Sequence, residues 1–233
     1  MHIRILLEIV ACSAEDAVGA QSAGADRIEL CAAIELGGLT PSIGLLRQTL
    51  QECSLPIMAM VRQRPGGFCY SSSEIATMCR DASALAEAGA HGLVFGCLKG
   101  DALDLAACRE VLKAGAGCQS VFHRAFDSIG DQVSALEQLI ELGFTRVMTS
   151  GRAASALEGA GVLRGLAERA AGRIEVMPGG GIRAANVAEI VRLTGCSSVH
   201  AAPMKAMESD SYDGAGASQV DADGVRELRQ ALG

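Results

Sequence analysis

Eight short apolar runs recur along this chain about 22–35 residues apart, at 5–10, 27–31, 57–62, 92–96, 120–126, 146–150, 174–178 and 198–202. Each is short and rich in residues that favour strands, and no run approaches the roughly 20 apolar residues a membrane helix needs. Helix signals fill the gaps. Ser13 with Asp16 and Ser71 with Glu74 read as capping boxes, and Pro41 stands where a helix begins. Gly24, Gly89, Gly143 and Gly195 each stand just before the next strand, where a left-handed helix end favours glycine. Alternating strands and helices imply right-handed parallel crossovers. Eight such units in 233 residues predict a closed (β/α)8 TIM-type barrel, one domain spanning 1–233 with no linker. The stretch 204–220, rich in Ser, Asp, Gly and Ala, reads as a mobile connection before a last helix around 223–232.

Composition narrows the function. The formal net charge is −7, and the aromatic residues are five Phe and two Tyr with no Trp. Nucleic acid is excluded as a partner, because it requires a basic face and stacking rings. The N-terminal residues carry no signal-peptide pattern, and the nine cysteines form no CxxC and are odd in number. Reduced thiols and a cytoplasmic location follow, with most cysteines serving as small buried hydrophobes.

A parallel barrel collects its functional groups at the carboxyl ends of its strands. The groups at those ends are Glu8, Glu29 with Cys31, Arg62 with Arg64, His123 with Arg124 and Asp127, Thr149 with Ser150, the turn Gly179-Gly180-Gly181, and His200. His123 has the titration range of a general acid or base, or is a histidine packed at the rim against Phe122. Glu8 and Glu29, on neighbouring strands with Arg62 as partner, supply a general base, a metal ligand or a clamp on a cation, or else a salt-bridged core layer. Ser150, Gly151, Gly179 and Gly180 offer backbone N–H groups to an anion, or form tight turns. Arg124 is a ligand for the same anion or a tie to a neighbouring carboxylate. The resulting candidate set is Glu8, Glu29, His123 and Asp127 for catalysis. Arg62, Arg64, Arg124, Ser150, Gly151, Gly179, Gly180 and His200 would hold a small anionic or phosphorylated metabolite.

Several motifs, in order, resemble one family. Ala25-Asp26-Arg27-Ile28-Glu29-Leu30-Cys31, Gly37-Gly38-Leu39-Thr40-Pro41-Ser42, Phe122-His123-Arg124-Ala125-Phe126-Asp127, Thr149-Ser150-Gly151, Ala156-Leu157-Glu158-Gly159 and Met177-Pro178-Gly179-Gly180-Gly181 are similar to those of the CutC family of copper homeostasis proteins. The resemblance implies a cytoplasmic TIM-type barrel, a homodimer and a part in copper handling. Copper prefers thiolate, thioether or imidazole ligands, and Cys31, at a strand end inside a family motif, is the candidate metal ligand. Met58 and Met60 share one strand face and read as core. The chain departs from the family's pattern at Gln63, Pro65 and Gly67, where Pro, Gly and Asp are usual.

Overall fold

The structure, a computed structural model, describes residues 4–207 and 218–233. Its eight parallel strands are β1 (Leu6–Ala11), β2 (Arg27–Leu30), β3 (Ile57–Met60), β4 (Gly92–Phe95), β5 (Gln119–Phe122), β6 (Arg146–Thr149), β7 (Glu175–Pro178) and β8 (Ser198–Ala201). They follow the eight apolar runs and pair in chain order, with β8 returning to β1. The returning pair sets Leu7 opposite Val199 and Glu8 opposite His200. Between β7 and β8 a single bridge, Gly179 to His200, closes the barrel.

A helix follows every strand: α1 (Ala14–Ser22), α2 (Ile43–Glu52), α3 (Ser72–Glu87), α4 (Leu105–Ala114), α5 (Gln132–Leu142), α6 (Ala160–Ala170), α7 (Ala184–Thr194) and α8 (Ala222–Leu232). The start signals act as read, with one difference. Ser71 and Glu74 form a reciprocal capping box. Ser13 caps α1 by accepting from the Asp16 amide, but the Asp16 carboxylate reaches Cys12 N and Val220 N instead of closing the box. Gly24, Gly89, Gly143 and Gly195 all take positive φ.

The stretch expected to be a mobile connection is structured at both ends. Met204–Ala206 and Ser218–Val220 form an antiparallel pair, tied to α1 through the Asp16–Val220 bond. Residues 208–217, the remainder of that expectation, lie outside the described residues. A second small hairpin, Leu98–Lys99 with Ala102–Leu103, decorates the loop after β4.

Strand alternation divides the core in two. Leu7, Ile9, Ile28, Leu30, Phe95, Phe122, Val147, Val176 and Val199 face the helix ring. Val10, Cys31, Met58, Met60, Val94 and Val121 cluster inside the barrel, which places both methionines in the core as expected. Phe122 is fully buried, with Phe144 and Phe126 edge-on at 5.6 and 6.3 Å. Truncating it removes a large side chain from a packed layer. Phe122→Ala should lower stability by about 3–5 kcal/mol, read as a fall in the urea midpoint with the slope unchanged.

Candidate functional site

The barrel interior carries charge as well as methyl groups. Register sets Glu8 opposite Arg27, and the two form a buried ion pair and hydrogen bond. The Arg27 guanidinium continues to Glu175 Oε1 at 3.3 Å, and Arg146 Nε approaches the same oxygen at 2.9 Å. Ser198 donates to Glu175 as well. Arg146 Nη2 reaches Gln119 across to β5 at 3.3 Å. This layer replaces the expected Glu8–Glu29–Arg62 cluster. Arg62 lies past the end of β3, and its guanidinium donates to the carbonyls of Gly37 (2.9 Å), Gly38 (3.2 Å) and Gly66 (2.9 Å). A cation two residues beyond Met60 stands at the rim, too far along the axis to meet Glu8. Arg27, Arg146 and Glu175 were readable as pore-facing, since each alternates with an interior residue on its strand, but each opens a strand instead of ending one.

Above the layer, His200 Nδ1 lies 2.8 Å from Glu8 Oε1, and its Nε2 is 4.0 Å from Glu29 Oε1. Glu29 Oε2 is buried without a hydrogen-bond partner among the described residues. Burial by itself would raise the Glu8 carboxyl. The His200 hydrogen bond and the Arg27 charge outweigh it and hold Glu8 down at about 2. Glu29 has no such partner, and burial pushes it up to about 7. Burial would lower His200, yet the charges of Glu29 and Glu8 prevail and raise it. One ligand atom from each of Glu8, Glu29 and His200 falls within 4.8 Å of the others, a set that could hold a metal ion.

Just past the ends of β1 and β2, four residues beyond Glu8 and two beyond Glu29, stands a second pair. Cys12 Sγ and Cys31 Sγ are 3.7 Å apart. Cys31 is fully buried, while Cys12 is partly exposed. The hydrogen bond between them splits the thiols: Cys12 is lowered, and Cys31 is raised by that bond, burial and the Glu29 charge. Cys12 escaped the sequence reading, although it follows Glu8 and Val10 at the strand period of two.

The remaining candidates divide. His123 caps the short turn Arg124–Ser128, its Nδ1 accepting from Ala125 N at 3.2 Å and its ring 4.8 Å from Phe68. Burial, aided by the Arg62 charge, depresses it to about 3. At neutral pH it is an uncharged imidazole whose buried Nε2 has no partner among the described residues. Asp127 is committed to positioning: its carboxylate accepts from Arg124 Nε (2.8 Å), Ser150 N (3.0 Å), Ser150 Oγ (3.1 Å) and Thr149 Oγ1. The Ser150 amide is therefore turned to Asp127, and that of Gly151 donates to Thr149 Oγ1 at 2.9 Å. The Gly179 amide donates to Thr149 O at 3.0 Å. These three do not form the expected anion cradle, because folding the loop consumes their donors. Arg64 likewise shapes its own loop, bonding Glu74, Gly67 O (3.0 Å) and Cys69 O (2.9 Å) and stacking on Tyr70. No atom of the described residues lies within 4 Å of the Cβ position of Gly67, so the loop leaves room there for the usual Asp.

Arg124, Gly180 and His200 do converge. With Gly181, Arg183 and Met204 they line a pocket of about 530 Å³ at the β7–β8 edge. Gly180, at φ +111°, lets the backbone pass the Arg124 guanidinium; a Cβ there would lie 3.1 Å from Cζ.

The model of the CutC family matches residues 5–205. A CutC family protein of Treponema denticola is 49% identical over 89% of this chain and 85% of its own length. A human protein named copper homeostasis protein cutC homolog is 43% identical over 88% of this chain and 75% of its own. The crystal structure of CutC from Streptococcus agalactiae superposes with a TM-score of 0.80 at 35% identity, covering 84% of this chain and 97% of that one.

The buried Glu29 carboxylate yields a signed pH effect. Its native pKa lies above the unfolded value, so the group disfavours the fold progressively as pH rises from about 4.5 to about 7. In chelator-treated protein, Glu29→Gln should therefore be more stable than the parent at pH 8 by about 1–3 kcal/mol. The gain should vanish near pH 4.5, as measured by urea unfolding across the range.

Proposed function

The chain belongs to the CutC family, and from that premise we propose that it serves copper homeostasis by holding Cu(I) between the sulfurs of Cys12 and Cys31. The 3.7 Å separation of those sulfurs carries this reading. Soft thiolate donors select Cu(I) over the hard divalent ions of the cell. The lowered thiol of Cys12 favours a thiolate on one side of the pair. Met60, in the same interior cluster as Cys31, brings a thioether close by, and Gly38 has both the Cys31 sulfur and the Met60 methyl next to its Cβ position. Cys12 also borders a surface pocket of about 340 Å³ with Asp16, Ile34 and Glu35, which offers a route for the ion as cargo. The nine free cysteines suit a reducing cytoplasm, and the human relative's name gives copper homeostasis as its role.

A second reading rests on the pocket lined by Arg124, Gly180 and His200: binding of a small anionic metabolite, with turnover of that metabolite as the enzymatic form of the idea. Arg124 there is tethered by Asp127 and Ser150, which holds its guanidinium in place for a carboxylate or phosphate.

Anaerobic titration of the reduced protein with Cu(I) against a competing chromophore should give one bound ion. Cys12→Ser and Cys31→Ser should each weaken it at least about 100-fold, while Cys196→Ala leaves it unchanged. Undiminished binding in either serine variant rejects the paired-thiol site. For the second reading, Arg124→Gln should lower inorganic phosphate binding about tenfold by calorimetry. Equal binding by both proteins rejects it.

A further inference from the structure

We propose that Glu29 and His200 form a second cation site, for a divalent ion of hard or borderline character, with Glu8 holding the imidazole in place for it. Two features of geometry carry this. With His200 Nδ1 2.8 Å from Glu8 Oε1, the carboxylate fixes the tautomer that carries the proton on Nδ1. In the neutral ring that leaves the lone pair on Nε2, 4.0 Å from Glu29 Oε1, and the proton that Glu8 and Glu29 favour there without metal is the one an ion would displace. Carboxylate, histidine and metal commonly stand in this relation, the outer carboxylate orienting the ring and raising its basicity. The second feature is Glu29 itself. It is only 4% exposed, and its Oε2 is buried with no hydrogen-bond partner among the described residues. A buried carboxylate oxygen in that state costs the fold free energy until something occupies it.

Charge points the same way. The groups facing the site are the carboxylates of Glu8, Glu29 and Glu175 and the guanidiniums of Arg27 and Arg146. With His200 neutral, these three carboxylates outnumber the two guanidiniums by one negative charge. Without metal a proton on His200 offsets that charge, and a divalent ion bound by Glu29 and His200 would take that proton's place. His200 also lines the pocket shared with Arg124, Gly180 and Gly181, which gives the ion a route in and places its open coordination positions beside an anion bound there.

The donor set is oxygen and nitrogen, so the preferred ions are those such as Mn(II), Co(II) or Zn(II), not Cu(I). The site is therefore separate from the paired thiols one layer above, and the two proposals stand or fall independently.

Co(II) is the probe, because thiolate ligation announces itself by intense charge-transfer absorption and oxygen–nitrogen ligation does not. Reduced, metal-free protein should bind one equivalent with only weak ligand-field bands. The Cys12→Ser/Cys31→Ser double variant should bind it equally well. Glu29→Gln, which keeps the shape of the side chain, and His200→Ala should each lose about 100-fold in affinity, and Glu8→Gln about 10–100-fold with the stoichiometry retained. Thermal unfolding of each variant identifies any that is not folded, and Glu29→Gln, which removes an unpaired charge, serves as the decisive one. No binding at millimolar Co(II), loss of all Co(II) binding in the double serine variant, or native affinity in Glu29→Gln would each overturn the proposal.

Discussion

Three carboxylates enclosed by one small barrel are the constraint around which the interior is arranged. Glu8 and Glu175 are answered by Arg27 and Arg146, and the guanidinium of Arg27 bridges strands at opposite ends of the sequence order, β2 and β7. Long-range ion pairs of this kind do little for net stability, since desolvation offsets most of the attraction. Their effect is on register. A slip of one residue between β1 and β2 would send Glu8 into the helix ring and strip Arg27 of its buried partner on β1, so the charged layer favours a single alignment.

Once that alignment is set, the chemistry of the axis is sorted by height. The layer with Glu29 and His200 offers oxygen and nitrogen. Two residues beyond Glu29 and four beyond Glu8, the ends of β2 and β1 present Cys31 and Cys12, with Met60 close to the former. Hard and soft donors are thus separated by one strand repeat. The separation follows from period-two alternation: Glu8, Val10 and Cys12 must share a face, as must Arg27, Glu29 and Cys31. Glu29 is the interior carboxylate with no guanidinium against it among the described residues, and its raised pKa and unbonded oxygen both follow from burial without one.

The carboxyl-terminal loops illustrate how a site differs from the scaffold that builds it. Asp127 and Thr149 draw in the amides of Ser150, Gly151 and Gly179, fixing the rim after β6 and β7. What reaches the open pocket is the remainder: Arg124, held from behind by Asp127, and the glycines of the next turn.

Much of the architecture was legible in the chain. Eight apolar runs, their helix caps and the glycines at the helix exits specify a parallel barrel because each is a local rule of backbone and hydrophobic periodicity. The placement of polar groups at strand ends was legible as well, since strand direction and polarity fix which end they occupy. Partner choice was not. Nothing local says that Glu8 meets Arg27 and His200 and not Arg62, that Asp127 exhausts the donors of Ser150, or that Cys12 comes within 3.7 Å of Cys31. Those contacts depend on register and barrel stagger, which bring together residues as far apart as Glu8 and His200, and only the closed tertiary structure sets them.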